Sequence, residues 1–315
     1  MTRVVAIFAY WLGFDALFYW LNRKSKRIIT FHNVFPDEMF REGVANGVSN
    51  RLSDFKKIVE MCKRRFPIDT DMFNARSLTI TFDDGYHNQY EYAFKTLREM
   101  GVEAYVFVSA DTKNGALTID KLLHWVSEAP IEYIKGGDRL RMWCDEIWPK
   151  FLKDSKAKGE AVLCELDTIY PYEKVLASLS EDYKRERLIG ISEDELNEMR
   201  VSGWKIGWHT RSHYPLAKLS ESQVREELES PKEFRSICLS YPYGNPCEVG
   251  DDAIRIAREF EYPCAVANTN ESEHGQYFLP RIALSADKYL LHFELSGCKY
   301  FIKHFRLLPH YQIMR

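Results

Sequence analysis

The sequence predicts an α/β fold built on a parallel sheet or barrel. Short segments rich in β-branched residues alternate with segments of helical apolar spacing along most of the chain. Hydrophobic residues make up 45% of the 315 residues and charged residues 28%, which is enough apolar material for a sizeable core. Polar motifs follow directly after several predicted strands, and this is where parallel α/β folds place their sites.

Charge and cysteine content exclude several classes of protein. The 43 Lys and Arg residues against 46 Asp and Glu give a formal net charge of −3, so no overall basic field favours a nucleic-acid partner. The seven cysteines form no even set and no CxxC pair, which argues against a disulfide framework and a zinc knuckle. Reduced cysteines that act as small buried residues indicate a cytoplasmic protein.

The N-terminal segment is apolar and then basic. Residues 4–21 hold one charged residue, Asp15, over a length that is borderline for a membrane span of about 20 residues. A basic run at 23–27 follows, of the kind that faces the cytoplasm or anionic headgroups. We expect residues 1–27 to form a helix that packs on the domain or makes peripheral membrane contact through residues 4–27. A true span is the alternative, and either arrangement leaves the remaining chain in the cytoplasm, at the inner face of the membrane.

Strand and helix patterns then alternate as far as residue 108. The strands are short runs rich in Ile, Thr, Phe and Val, and the helices repeat apolar residues at three- and four-residue spacing. The predicted elements are a strand at 28–31, a helix at 53–65, a strand at 78–82, a helix at 92–100 and a strand at 102–108.

The pattern changes at about residue 111 and resumes near residue 204. The intervening stretch is charged with irregular apolar spacing, and we interpret it as a long helical insertion at about 111–200. The later predicted elements are strands at 204–208, 237–241, 264–267 and 279–284, and helices at 221–229, 250–260 and 287–299.

Two adjacent carboxylates, Asp83 and Asp84, follow the strand at 78–82. At the end of a buried strand they repel each other and lose hydration, unless a cation or a proton compensates. Asp-Asp-Gly is also a good turn sequence. The pair therefore predicts either a simple turn or a charged site.

Two histidines, His209 and His213, follow the strand at 204–208. Histidines at i and i+4 share one face of a helical turn, so both imidazoles can reach one metal ion. With an aspartate from another strand end they would form a set of two histidines and one carboxylate, which leaves positions open for water and substrate. Such a set suits a divalent metal, zinc first, with cobalt, nickel and iron as alternatives.

Three segments resemble motifs of the polysaccharide deacetylase family, the carbohydrate esterases that share the NodB-homology domain. The segments similar to the first, second and third motifs are Thr81-Phe82-Asp83-Asp84-Gly85, His209-Thr210-x-x-His213 and Tyr241-Pro242-Tyr243-Gly244. The resemblance spans residues 28–300 outside the insertion. It implies a distorted (β/α) barrel over residues 28–310, with the insertion as a helical cap over the pocket.

The resemblance also implies roles for individual residues. Asp83 matches the general base of the family, and Asp84, His209 and His213 match its metal ligands. A bound metal lowers the pKa of a water molecule towards about 7, and a neighbouring carboxylate can remove the proton.

The third motif is implied to serve the reacting carbonyl group. The backbone N–H of Tyr243 would stabilise the oxyanion, and Pro242 would present that amide rigidly. Pro242 and Tyr241 are in addition candidate substrate contacts, although the segment read alone is also an ordinary aromatic turn.

Two departures from the family pattern affect the candidate catalytic groups. The third motif of the family usually begins with Arg, and here that place is Ser240; Arg281 resembles the fourth motif and could steady the base instead. The general acid is ambiguous. His292 matches the Leu-x-His ending of the family but lies in a predicted helix, whereas His32 ends the first strand and could face the same pocket.

These features together predict a metal-dependent hydrolase that removes an N-acetyl group from an amino sugar. Because no clear export signal is present, we expect a nucleotide- or lipid-linked sugar of surface-polysaccharide synthesis rather than an extracellular polymer. The alternatives are a deformylase or deacylase of a lipid-linked aminosugar, and a non-catalytic carbohydrate-binding protein on a degenerate deacetylase fold. The sequence predicts no oligomeric state.

Overall fold

Eight parallel strands form the central sheet of the computed structural model, which describes residues 2–40, 48–110, 189–269 and 275–308, together with residues 177 and 181. A separate pair of parallel strands, β2 and β3, lies beside it. The described strands are, in chain order, β1 (Arg27–Phe31), β2 (Asn33–Phe35), β3 (Ser49–Arg51), β4 (Leu78–Phe82), β5 (Tyr105–Val108), β6 (Lys205–Trp208), β7 (Leu239–Ser240), β8 (Ala265–Ala267), β9 (Leu279–Pro280) and β10 (Ile282–Ala283).

The sheet closes on itself through one short segment. Its strand order is β10-β1-β4-β5-β6-β7-β8-β9, so β9 and β10 stand at opposite edges although they are neighbours along the chain. Leu279 pairs with Val266 of β8, and Ile282 pairs with Ile29 of β1. The extended segment at 279–283 therefore joins both edges, and the predicted (β/α) barrel is confirmed in a nearly closed form.

The helices cover the outside of the barrel, as the alternating pattern predicts. Several begin at capping boxes, such as Ser192 with Glu195 and Asn245 with Glu248, which satisfy backbone N–H groups at the helix start. The described α-helices are α1 (Thr2–Trp11), α2 (Phe14–Leu21), α3 (Leu52–Arg65), α4 (Lys95–Glu99), α5 (Glu193–Val201), α6 (Glu221–Leu228), α7 (Lys232–Arg235), α8 (Pro246–Glu259), α9 (Lys288–Leu295) and α10 (Cys298–His304).

The core lies between the barrel and these helices. All five residues of β4 are buried, as expected for a parallel strand that is covered on both faces. Phe82 stacks on Trp204 with ring centroids 5.6 Å apart, and on Phe31 at 5.6 Å. Four of the five described cysteines are buried, as expected for small apolar residues.

Three of the helices predicted after residue 28 differ from the structure. The helix expected at 92–100 begins earlier, as a π-helix at Gln89–Phe94 that continues into α4. The helix expected at 287–299 is broken at Gly297, whose φ of 85° is left-handed, into α9 and α10. The helix expected near 250–260 starts at Pro246 and contains a non-helical Gly250.

The N-terminal segment is two helices rather than one. Helices α1 and α2 meet at an 83° bend around Gly13, whose φ is 77°. Within the described residues no single helix is long and apolar enough to cross a membrane, and this bent pair meets the length and composition test only when its two helices are taken together.

The basic run at 23–27 is divided between surface and interior. Arg23 and Lys24 are exposed, but Lys26 and Arg27 are buried. Arg27 donates to the carbonyl groups of Leu295 and Asn22, and it stacks over the Phe66 ring at 4.6 Å. The part of the run predicted to face headgroups is therefore limited to its first two residues.

The predicted insertion at about 111–200 lies mostly outside the described residues. Its described end is helix α5 and the stretch before it. There Ile191 donates to the Gly85 carbonyl at 2.8 Å, and His87 donates to the Ile189 carbonyl at 2.8 Å. The chain thus re-enters the described structure directly beside the Asp-Asp-Gly turn.

Candidate active site

The candidate site lies at the carboxyl ends of the barrel strands. Asp83 and Asp84 follow β4, His209 and His213 follow β6, and Arg281 separates β9 from β10. Because these strands run parallel, their ends meet on one side of the barrel, as the sequence predicts.

Asp84, His209 and His213 converge on one point. The Oδ1 atom of Asp84 lies 3.3 Å from Nε2 of His209 and 3.1 Å from Nε2 of His213. The two imidazole rings are 4.7 Å apart, and all three side chains are buried. The structure brings together the three residues that the resemblance implies as metal ligands.

The two histidines meet without the helical turn that their spacing predicts. Residues 209–213 form an irregular loop, in which Thr210 has a φ of 65° and His213 a φ of 60°. Asp84 is also left-handed, with a φ of 78°. Such conformations cost of order 1–3 kcal/mol for each non-glycine residue and cluster at functional sites. The prediction of a helical turn is wrong, because an irregular loop brings the two imidazoles together instead.

Buried glutamate Glu227 of helix α6 holds this loop. One of its carboxylate oxygens, Oε2, accepts from the Ser212 N–H at 2.8 Å, and the carboxylate also accepts a hydrogen bond from the Thr210 side chain. The Thr210 hydroxyl oxygen in turn accepts from the His213 N–H at 3.1 Å. Burial raises the pKa of Glu227, and these hydrogen bonds oppose that rise. No motif contains this residue; its one signal in the sequence is its place on the helix that follows the second motif.

The orientation of His209 is fixed from behind. Its Nδ1 atom lies 2.8 Å from the Ser240 carbonyl oxygen, which can only accept a hydrogen bond. The proton therefore sits on Nδ1, and Nε2 offers its lone pair towards Asp84. Burial lowers the pKa of His209, against the opposing effect of Asp83 and Asp84, which favours the neutral imidazole that binds metals.

Asp83 is a fully buried carboxylate held by two side chains. Arg281 donates Nη1 to Oδ1 at 2.8 Å and Nη2 to Oδ2 at 2.5 Å, and the Ser240 hydroxyl donates to Oδ1 at 3.0 Å. Burial raises the pKa of Asp83, but Arg281 and the nearby imidazoles outweigh it and hold that pKa well below its usual range. Ser240 stands where the family motif usually has Arg, and Arg281 holds the Asp83 carboxylate instead.

The two candidate acids lie in different places. Nε2 of His32 is 3.8 Å from Oδ2 of Asp83, and its side chain is partly exposed. His292 lies among the N-terminal helices: its Nδ1 is 3.3 Å from the Tyr19 hydroxyl, and its ring packs 5.3 Å from that of Tyr10. The described contacts bring His32, and not His292, to Asp83.

The third motif is divided between core and site. Tyr243 is half-buried with a left-handed φ of 59°, and its ring lies 5.3 Å from that of His213. Tyr241 is fully buried and donates its hydroxyl to the Tyr277 carbonyl at 3.1 Å, so its ring fills the core and leaves no surface for a sugar. Pro242, between them, is buried as well.

Gln89 of the π-helix is a further residue of the site that no motif contains. Its side-chain amide donates to the His32 carbonyl at 2.8 Å and to the Asp83 carbonyl. It therefore links the ends of β1 and β4 behind the Asp83 carboxylate. No signal in the sequence points to it, since its partners are backbone atoms.

The residues present fit a divalent metal ion. One ligand atom each from Asp84, His209 and His213 lies within 4.8 Å of the other two. Two imidazoles and one carboxylate form a donor set for zinc and other first-row metals, and the hydrogen bond to Ser240 provides the outer contact that ligating histidines ordinarily make. The arrangement can hold a cation next to an ionised carboxylate, Asp83.

Comparison with solved structures relates the barrel to deacetylases. A protein of Bacillus anthracis assigned to the polysaccharide deacetylases aligns with a TM-score of 0.52 and 14% identity, over 86% of this chain and 68% of its own. A de-N-acetylase of Aggregatibacter actinomycetemcomitans aligns with a TM-score of 0.50 and 12% identity, over 84% of this chain and 96% of its own. At these identities the likeness concerns the fold. No curated protein matches the sequence significantly.

A family model supplies the remaining comparison. The model for polysaccharide deacetylase matches residues 71–133 and 175–265. The first matched segment contains Asp83 and Asp84, and the second contains His209, His213 and Tyr243. Because the model aligns with all three motifs, and the barrel gathers those motifs at one end, the chain belongs to the polysaccharide deacetylase family.

Proposed function

We propose that this chain is a metal-dependent hydrolase that removes an N-acetyl group from an amino sugar. The observation that carries the proposal is the placement of Asp83, ionised by Arg281, beside the cluster of Asp84, His209 and His213. A cation held at this site would polarise water and the amide carbonyl, and the buried ionised carboxylate beside it can accept the proton of the water.

The three ligands would hold the metal, and zinc is the first candidate. When bound, the metal would polarise water and the amide carbonyl. Asp83 would accept the proton of the attacking water, with Arg281 and Ser240 holding its carboxylate in position. The backbone N–H of Tyr243 would donate to the developing oxyanion, since the half-buried Tyr243 lies against His213.

His32 is our candidate for the acid that protonates the leaving amine. It lies 3.8 Å from Asp83 and is partly exposed, so it can face both the base and a substrate. The position of His292 against Tyr19 supports His32 over the alternative.

We further propose a nucleotide- or lipid-linked amino sugar as the substrate, processed in the cytoplasm at the inner face of the membrane. Exposed apolar side chains on α1 and α2 support a substrate presented at a lipid surface. Acetyl is the expected acyl group because the family comprises deacetylases.

The test compares Asp83→Asn with the wild type. We expect acetate release to fall at least about 100-fold, the low end for loss of a general base, while the metal content stays unchanged. Acetate and formate release are measured with free, nucleotide-linked and lipid-linked N-acyl amino sugars, with and without chelator, and the metal by elemental analysis.

The matched control is Asp251→Asn, which removes an exposed aspartate from helix α8. It should keep full activity and metal content. Wild-type protein that binds sugars but hydrolyses none of them with any metal would identify a carbohydrate-binding protein and overturn the proposal. Formate release without acetate release would show that the acyl group removed is formyl and not acetyl.

A further inference from the structure

The exposed apolar surface of this protein is concentrated at its N-terminus. Eight of the thirteen exposed large apolar side chains in the described residues lie on or between α1 and α2. Trp11, Leu12 and Trp20 are 72%, 69% and 59% exposed. The others in this set, which we call the N-terminal apolar surface, are Val4, Val5, Phe8, Phe14 and Leu17. Soluble monomers rarely expose a continuous apolar area of this kind without a partner for it.

The opposite side of the two helices is fixed to the barrel domain. Ala6, Ala9 and Phe18 are buried in a cluster with Phe293 of α9 and Cys298 of α10. The N-terminal apolar surface is therefore the solvent-facing side of an amphipathic helix pair that is docked on the barrel domain.

The exposed charges on the two helices and just after them are cationic. Residues 2–24 contain four charged residues, of which Arg3, Arg23 and Lys24 are exposed, whereas the acidic one, Asp15, is buried and accepts from Ser296. Arg3 is paired with Asp287 at 2.7 Å, so Arg23 and Lys24 carry the positive charge of this surface. Arg23 lies over the Trp20 ring at 4.6 Å. Tryptophan and arginine at an apolar edge are typical of the headgroup region of a bilayer.

The surface continues onto the neighbouring C-terminal helix. Phe301 of α10 packs on Phe18 of α2 with ring centroids 4.9 Å apart. Beside it, Ile302 and Phe305 are exposed, and the exposed charges that follow, Lys303 and Arg306, are again cationic.

The shape of the pair suits lying in a membrane surface. At about 1.5 Å per residue, α1 and α2 are each about 12–15 Å long, whereas the hydrocarbon core of a bilayer is about 30 Å thick. The 83° bend and the burial of one side against α9 remove the pair further from a straight span.

We propose that the N-terminal apolar surface, with Arg23 and Lys24, docks the protein on an anionic lipid bilayer without crossing it. Charge complementarity selects this occupant. A second copy in a two-fold contact would bring the same cations against each other, whereas anionic headgroups attract them.

The experiment is co-sedimentation of the full chain with vesicles of phosphatidylglycerol and phosphatidylcholine, compared with phosphatidylcholine alone. We expect binding to the anionic vesicles and much weaker binding to the neutral ones. The double variant Trp11→Gln/Leu12→Gln should lose at least tenfold in vesicle affinity. Arg23→Gln/Lys24→Gln should lose about fivefold for each cation removed, with most of the loss disappearing at high salt.

The matched control is Val201→Gln, which removes a 90% exposed apolar side chain from α5. It should bind vesicles as the wild type does. All variants should keep the wild-type melting temperature and the wild-type activity on a soluble substrate, so a failure here is distinguishable from a failure of the proposed catalysis.

Three results would overturn the proposal. The first is equal binding of the wild type and the Trp11/Leu12 variant. The second is wild-type protein that ignores vesicles but forms oligomers that dissociate with this variant, which would assign the surface to a second copy. The third is bound protein that resists alkaline carbonate extraction, which would indicate a span.

Discussion

Ser240 connects the two chemical halves of the candidate site. Its hydroxyl donates to the carboxylate of Asp83, and its carbonyl accepts from the Nδ1 proton of His209. Since β7 is only two residues long and pairs with β6, this one residue can hold the candidate base and a candidate metal ligand together. With Ser240 at the position where the family usually has Arg, the candidate base Asp83 therefore still has a hydrogen-bond donor there.

Glu227 is the residue whose removal should weaken metal binding without touching a ligand. Glu227→Ala removes the acceptor for the Ser212 N–H and the Thr210 hydroxyl, which releases the loop that carries His213. Loss of such an outer contact costs 10–100-fold in metal affinity. We expect a loss of about this size in zinc titrations against a chromophoric competitor.

The conservative variant separates positioning from general stability. Glu227→Gln keeps an acceptor oxygen at the same place and should restore most of the zinc affinity. A Glu227→Ala protein that melts at a lower temperature but binds zinc as tightly as the wild type would limit Glu227 to a structural role.

The sequence predicts which side chains at the strand ends form the candidate site. It does not predict the contacts that hold those side chains in place. Asp84, His209 and His213 stand in motifs, so both their chemistry and their convergence were predictable. The partners of Gln89 and one partner of His209 are backbone carbonyls, which carry no sequence signature. The general acid was ambiguous for a related reason: the letters around His292 match a motif, but its neighbours depend on how α1 and α2 pack.

Two helix breaks occur at glycines within apolar stretches that look continuous in the sequence. Gly13 divides α1 from α2, and Gly297 divides α9 from α10, each with a left-handed backbone. The apolar spacing continues across both positions, so periodicity alone predicts one helix in each case. Periodicity carries no information on a positive φ, which glycine adopts without steric cost and which Thr210 and His213 also adopt in their loop.

Helix α2 carries a buried ionisable group, Asp15, that makes the stability of the fold depend on pH. Burial raises the pKa of Asp15 to about 6, against the opposing hydrogen bond from Ser296 and the charge of Arg65. The folded state therefore binds this proton more tightly than the unfolded state, whose pKa is 3.8. Stability from the bound proton is complete below pH 4 and is lost as the pH rises through about 6.

Asp15→Asn removes this dependence, and its effect should grow with pH. The free energy of unfolding of the variant, relative to the wild type, should rise from near zero at pH 4 to at most about 3 kcal/mol at pH 7. Urea unfolding at several pH values measures it. The exposed Asp251→Asn serves as the control, whose difference from the wild type should not change with pH. A difference for Asp15→Asn that does not vary between pH 4 and pH 7 would show that the Asp15 proton does not control stability.

At the scale of the whole molecule, the ligands tie together strands that are not neighbours. Asp84 follows β4 and the two histidines follow β6, with β5 between them in the sheet. Zinc at a hundredfold excess over its dissociation constant should stabilise the fold by about 2.7 kcal/mol, because the unfolded chain lacks the site. For a chain of 315 residues, with an unfolding entropy of about 2.1 cal/mol/K per residue, we expect the melting temperature to rise by about 4 °C.

Differential scanning fluorimetry with zinc and with a chelator measures this shift. Asp84→Asn should abolish it, and Asp83→Asn should keep it, since only the former removes a ligand. An equal shift in the Asp84→Asn protein would show that zinc stabilises the fold from some other place.

The segment at 279–283 makes two features of the folded protein depend on the last part of the described chain. It closes the two free edges of the barrel and also delivers the guanidinium that neutralises Asp83, 198 positions earlier in the chain. During synthesis, a polypeptide that stops short of Leu279 would have an open sheet and an uncompensated acidic group at its centre. Closure of the barrel and the pairing of Asp83 with Arg281 therefore depend on the same short segment, so an incomplete chain would lack both.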